Sequence, residues 1–153
     1  MTERSIVHGS FAIERRWKSA PAKVFRAWAD PKLKAQWFGS PEPGNMKHTF
    51  DFRVGGAEHS EGKGPDGGDY VFDVRYYDIV PDNRIVYAYD MHLNGQRISV
   101  SVTTVEFRAE QSGTYMVLTE YGAFLDGLDT SEQRRAGTEW LIDQLGAWLE
   151  KQA

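Results

Sequence analysis

Glu120 is the residue of this 153-residue chain best placed to do chemistry. It stands in the run TYMVLTEY at 114–121, where strand alternation puts it on one face with Met116 and Leu118, so a carboxylate closes an apolar row. A charge in such a row needs a partner. Either Glu120 lies at a sheet rim, solvated or paired with an arginine such as Arg15, or it anchors the polar group of a ligand. In the second case desolvation raises its pKa unless an arginine offsets it. Aromatic side chains extend the theme. Phe50, Phe72, Tyr87, Tyr89 and Trp140 would each fit a core singly. Together with the hydroxyls of Ser99, Ser101 and Thr103, which need hydrogen-bond partners if buried, they outline a partly polar cavity.

Other patterns carry less. Residues 62–67, GKGPDG, spell G-x-G-x-x-G, but a phosphate loop must open a helix, and here Tyr70-Val71-Phe72 follows as a strand while Pro65 has no backbone donor. The segment reads as a hairpin loop, a flap over a pocket mouth. His8, His48, His59 and His92 match no metal spacing, with Glu58-His59 and His59-x-Glu61 the nearest approaches. No G-x-S-x-G elbow or triad is present. The residues therefore name no metal ligand, no catalytic group and no cofactor, and the absence of cysteine excludes thiol chemistry and disulfides. A net charge of -4 argues against nucleic acid and anionic membranes as partners. No run approaches the ~18 apolar residues of a membrane span, and MTERSIVHGSF lacks a signal-like apolar stretch, so the expected location is cytoplasmic. Lys18, Lys23, Arg26, Lys32 and Lys34 read as a solvated basic face, or else as a docking surface for an acidic partner.

These residues need elements to position them. Alternation over 11–18 predicts a strand. Two short helices follow: Ser19 ahead of Pro21 is the expected N-cap of the first, carrying Val24, Phe25 and Trp28 on one face, and Asp30-Pro31 opens the second, carrying Leu33 and Trp37. Residues 46–54 alternate with Met46, His48, Phe50, Phe52 and Val54 on one side until Gly55-Gly56 breaks the strand. Further strands are expected over 70–80, 84–92, 98–107 and 114–121, with a hairpin at Asn94-Gly95. Thr130 and Gln133 form a capping-box pattern ahead of Ala136, Trp140, Leu141, Leu145, Trp148 and Leu149, which recur at helical spacing for about twenty residues, roughly 30 Å. The expectation is a single α+β domain over residues 1–153, a curved antiparallel sheet of six to seven strands wrapped around a long C-terminal helix, in the order β-αα-β(5-6)-α.

Particular words sharpen this. The pattern A-P-x-x-V-F-x-A-W-x-D-P over 20–31, Gln36-Trp37-Phe38, the run FDFRVGG at 50–56, Val80-Pro81 with Arg84-Ile85-Val86, and Leu118-Thr119-Glu120 before the last helix resemble the activator of heat-shock-protein-90 ATPase-like family, within the START-like (SRPBCC) helix-grip superfamily. The resemblance spans nearly the whole chain. It implies a helix-grip fold holding a small hydrophobic, amphipathic or aromatic molecule between sheet and helix. Trp37 and Phe38 then stand where the ligand enters, and Phe50, Phe72, Tyr87, Tyr89, Met116, Leu118, Glu120 and Trp140 wall the site. One word departs from the family pattern: Gly137 is followed by Thr138-Glu139 before Trp140, which moves the aromatic by about a turn. The alternatives are a chaperone ATPase co-factor, which the family name implies, and a cyclase or dehydratase using Glu120 or a cavity tyrosine as acid or base, although no catalytic constellation makes the chain an enzyme. A homodimer remains open.

Overall fold

Period-two alternation builds seven strands in the computed structural model, which describes residues 4–38, 46–64 and 66–152. They are β1 (Ile6–Trp17), β2 (Met46–Phe50), β3 (Ala57–Lys63), β4 (Asp69–Val80), β5 (Arg84–Leu93), β6 (Gln96–Glu110) and β7 (Gly113–Leu125). Helices α1 (Pro21–Ala29) and α2 (Pro31–Lys34) follow β1, and α3 (Ser131–Lys151) follows β7. The strands form one antiparallel sheet in the order β1-β7-β6-β5-β4-β3-β2. The chain thus leaves β1 at one edge and re-enters as β2 at the other. In a flat sheet six spacings of about 4.8 Å would separate those edges by about 29 Å. The sheet curves instead, aided by register shifts at Tyr76/Asp78 and Met91/His92. The curved sheet with its long final helix and the short helices after the first strand is the expected helix-grip fold.

The core lies where the concave face meets the helices. Val24, Phe25, Ala27 and Trp28 of α1 and Ile142, Leu145 and Leu149 of α3 are buried with Ile13, Ile85, Val105, Phe107, Met116 and Leu118 of the sheet. Edge-to-face contacts of Phe25 and Trp28 with Phe107 lock α1 against β6. Gly146 lets α3 approach β1 closely, since a Cβ there would stand 2.9 Å from the Trp17 indole nitrogen.

Local signals met different fates. Asn94 and Gly95 both take positive φ, 52° and 81°, as a two-residue hairpin with the right twist requires. Thr130 caps α3 by accepting from the Gln133 backbone N–H. Asp30 caps α2 through Lys32, but Ser19 does not cap α1. Ala20 holds the N-cap position with no side-chain bond, while the Ser19 carbonyl accepts from Thr114 Oγ1 at 2.7 Å. The strand expected over 46–54 ends at Phe50, because residues 53–55 turn the chain back through Gly55 at φ 84°. The following strand, β3, was not anticipated, since its sequence AEHSEGK carries no apolar alternation. Trp140 is also displaced from its expected place: it is 50% exposed, because the inward stripe of α3 runs through Arg134, Ile142, Leu145 and Leu149.

Two glycines give opposite tests of this packing. A Cβ on Gly113 would stand 2.1 Å from the Trp17 carbonyl oxygen, so Gly113→Ala should destabilise by about 1–3 kcal/mol in urea unfolding. Gly137, mid-helix with nothing within 4 Å of its Cβ position, should gain about 0.5–1 kcal/mol on substitution by alanine.

Candidate functional site

Antiparallel register aligns the inward-facing residues into rows across the sheet. One row runs Tyr76, Tyr87, Thr103, Glu120, Phe11; the next runs Phe50, Glu58, Val74, Tyr89, Ser101; a third runs His48, Ser60, Phe72, Met91, Ser99. Polar groups are therefore placed inside by alternation itself, and they fall into two clusters.

The first cluster joins α2 to the β2–β3 edge. Lys34, 3% exposed, donates to Glu58 Oε1 at 2.8 Å, and its ammonium lies 4.7 and 4.8 Å from the ring centres of Phe38 and Phe50. Tyr76 donates to the same carboxylate oxygen at 2.5 Å, and His48 Nε2 lies 2.7 Å from Oε2. Burial alone would push the Glu58 carboxyl up, but Lys34 foremost, with the hydrogen bonds from His48 and Tyr76, holds it down at about 2. Burial pulls the Lys34 ammonium below its ordinary value against the opposing pull of Glu58.

The second cluster ties the start of α3 to the sheet centre. Arg134 donates to the Tyr89 hydroxyl at 2.9 Å, to Ser99 Oγ at 2.7 Å and to Asp129 at 2.8 Å, and lies 3.7 Å from Glu120. Glu120 accepts from Tyr89 at 2.7 Å on one oxygen and from Thr103 at 2.9 Å on the other. Desolvation raises its pKa, and the hydrogen bond from Tyr89 and the charge of Arg134 only partly offset this. The arginine that meets Glu120 is thus Arg134. Arg15 pairs with Asp143 and Glu139 on the outer side of α3.

Between the clusters lie Phe38, Phe50, Phe72, Tyr87 and Met91, all only partly buried, although their neighbours in the rows, such as Tyr76, Thr103, Tyr89 and Ser60, are buried. Phe72 packs on Phe38 and Tyr89 with centroids 5.7 and 4.6 Å apart. Of the other residues singled out from sequence, Trp37, Met116 and Leu118 belong to the sealed core, Trp37 donating to the Ala27 carbonyl at 3.0 Å. Tyr89 and Glu120 belong to the second cluster. Trp140 joins none of these groups. Two surface hollows, about 420 Å³ around His8, Ser10 and Tyr121 and about 220 Å³ around Arg16, Glu110 and Thr114, lie by β1 and β7, away from the aromatic rows.

The sequence reading marks none of Lys34, Glu58, Tyr76 and Arg134 as a buried polar group. Lys34 was grouped with the basic face around α1, whereas it turns inward between Leu33 and Trp37. Arg134 was readable in principle, since the stripe of Ile142, Leu145 and Leu149 extends back to it at helical spacing. Glu58 offered no such signal in an all-polar strand.

The model of the family described as activator of Hsp90 ATPase homolog 1-like protein matches residues 18–150. An uncharacterised protein from Rhizobium leguminosarum is similar in structure over 98% of this chain and 99% of its own, with 46% identity and a TM-score of 0.92. The Mll3558 protein from Rhizobium loti covers 94% and 98% at 40% identity and 0.87, and CV1439 from Chromobacterium violaceum 92% and 96% at 25% and 0.76. No curated protein matches.

The two buried carboxylates predict opposite acid behaviour. Glu58 is depressed, so its contribution of about 3 kcal/mol is present above its unfolded value of 4.5 and is lost as pH falls towards 2. Glu120 is raised, so protonation on acidification relieves its burial cost. In urea melts from neutral to acid pH, Glu58→Gln should lose about 3–5 kcal/mol at neutral pH and flatten the acid limb. Glu120→Gln should instead steepen it.

Proposed function

This chain belongs to the activator of Hsp90 ATPase homolog 1-like family, and from that premise we propose that it binds a small hydrophobic or amphipathic molecule between the inner face of its sheet and its helices. The family binds ligands in a cavity. The observation that carries the reading is the residual accessibility of Phe38, Phe50, Phe72, Tyr87 and Met91. Inward side chains on β4 and β5, flanked by buried neighbours, keep accessible surface only if they border a space. Aromatic and thioether walls with few polar groups are the usual lining of a small-molecule site. The two ionic clusters bound that space, and both oxygens of Glu120 are already bonded, so Glu120 serves the wall better than it would serve acid–base chemistry.

Native mass spectrometry of the purified protein should show a population carrying extra mass that organic extraction removes. Xenon under pressure should shift the resonances of Phe72, Tyr87 and Met91. Met91→Trp, which fills the space, should abolish both signals while retaining the melting temperature to within a few degrees. A protein with no extra mass and no xenon response at these residues would overturn the reading.

A further inference from the structure

We propose that the phenol of Tyr87 is the hydrogen-bond donor that selects the ligand, and that the molecule held against it is uncharged and presents an acceptor oxygen such as a carbonyl. The inference deepens the cleft reading above and rests on it.

Nearly every polar group inside the fold already has a partner. Lys34 is committed to Glu58, and Arg134 to Asp129, Ser99 and Tyr89 with Glu120 beside it. Each carboxylate is saturated in turn, Glu58 by Lys34, Tyr76 and His48, and Glu120 by Tyr89 and Thr103. Ser60 Oγ, Ser101 Oγ and Trp28 Nε1 have no partner, but they are sealed from any space a ligand could enter. Tyr87 differs from all of these. Its hydroxyl makes no well-formed hydrogen bond to a described residue: the one oxygen close by is that of its cross-strand neighbour Thr103, which spends its own proton on Glu120. Tyr87 also retains accessible surface, while Tyr76 and Thr103, on either side of it in the row, are 2% and 0% exposed. It is the one donor of the inner rows, among the described residues, that is both reachable and unspent.

Charge decides what can meet that donor. Burial foremost, and then the charges of Glu120 and Glu58, keep the Tyr87 phenol protonated and so a donor. A carboxylate or phosphate placed at its hydroxyl would face two anions with both nearby cations already paired, and stripping either pair would leave a buried charge uncompensated. A neutral acceptor meets no such penalty and relieves the phenol of an unmade bond.

The test compares three ring compounds of one size by protein-observed NMR at neutral pH: ethylbenzene, acetophenone and benzoate. In the native protein acetophenone should bind about fivefold more tightly than ethylbenzene, with benzoate the weakest. Tyr87→Phe should erase the advantage of the ketone and leave ethylbenzene affinity within about twofold. That variant should melt within a few degrees of the native protein, because the missing hydroxyl makes no well-formed hydrogen bond to a described residue. Equal binding of ketone and hydrocarbon, an advantage that survives in Tyr87→Phe, or benzoate as the tightest binder would each overturn the inference and leave the cleft standing. If none of the three perturbs Tyr87, Phe72 or Met91, the cleft reading fails and the inference fails with it.

Discussion

The bond from Lys34 to Glu58 is the constraint on which the arrangement of this molecule turns. A helix of four residues has no stability of its own in water. α2 exists where it does because Asp30 caps it and because its last residue sinks an ammonium between aromatic rings onto a carboxylate of β3. That one contact crosses from the segment leaving β1 to the opposite margin of the sheet and ties the two across the concavity. Removing either partner leaves a buried ion alone, which costs far more than an intact pair contributes. Replacing both by apolar groups would be a milder change. The bond is thus better understood as fixing one geometry than as supplying net stability.

The second pair, Arg134 with Glu120, plays the same part for α3, and the two share a design. Each carboxylate accepts from a buried tyrosine, Glu58 from Tyr76 and Glu120 from Tyr89, and each meets a cation from a helix. Helices that could slide along an apolar face are held in register by directional bonds. The aromatic strip between the pairs carries no such bonds, and there the side chains keep some of their surface. Rigid ends with a less tightly filled middle suit a protein that must keep its shape while admitting something into it.

Much of this was readable from residues alone, and the failures have physical causes. Asn94-Gly95, the Thr130 cap and the long stripe of α3 are local signals, and the structure honours them. The strand over 57–63 was lost because its inward residues are Glu58, Ser60 and Gly62, and strand recognition depends on apolar alternation. Glu120 reads from sequence as a carboxylate that is solvated, paired with an arginine such as Arg15, or anchoring a ligand, but Arg15 lies away from it on β1, opposite Met116. The arginine that meets it lies on α3 and is brought close only by tertiary packing. Helical spacing puts Trp140 in the apolar stripe of the last helix, whereas the helix turns its charged Arg134 to the sheet and leaves the tryptophan half outside. Where burial follows hydrophobicity the sequence speaks clearly. Where the fold buries charge, only the pairing reveals it.

β1 occupies one margin of the sheet, and its only neighbour there is β7, so Ile6 lies opposite Leu125 and Trp17 opposite Thr114. All the elements from α1 to β6 lie between these two strands in sequence, so β1 finds its hydrogen-bonding partner only after they have been made. Until then its Phe11 and Ile13 have no sheet to enter, and closing so long a loop adds an entropic cost that slows folding. During synthesis β1 must stay unpaired, with Phe11 and Ile13 uncovered, until β7 has followed it. Protection of that strand is a demand the topology makes on the cell before the protein has any function to perform.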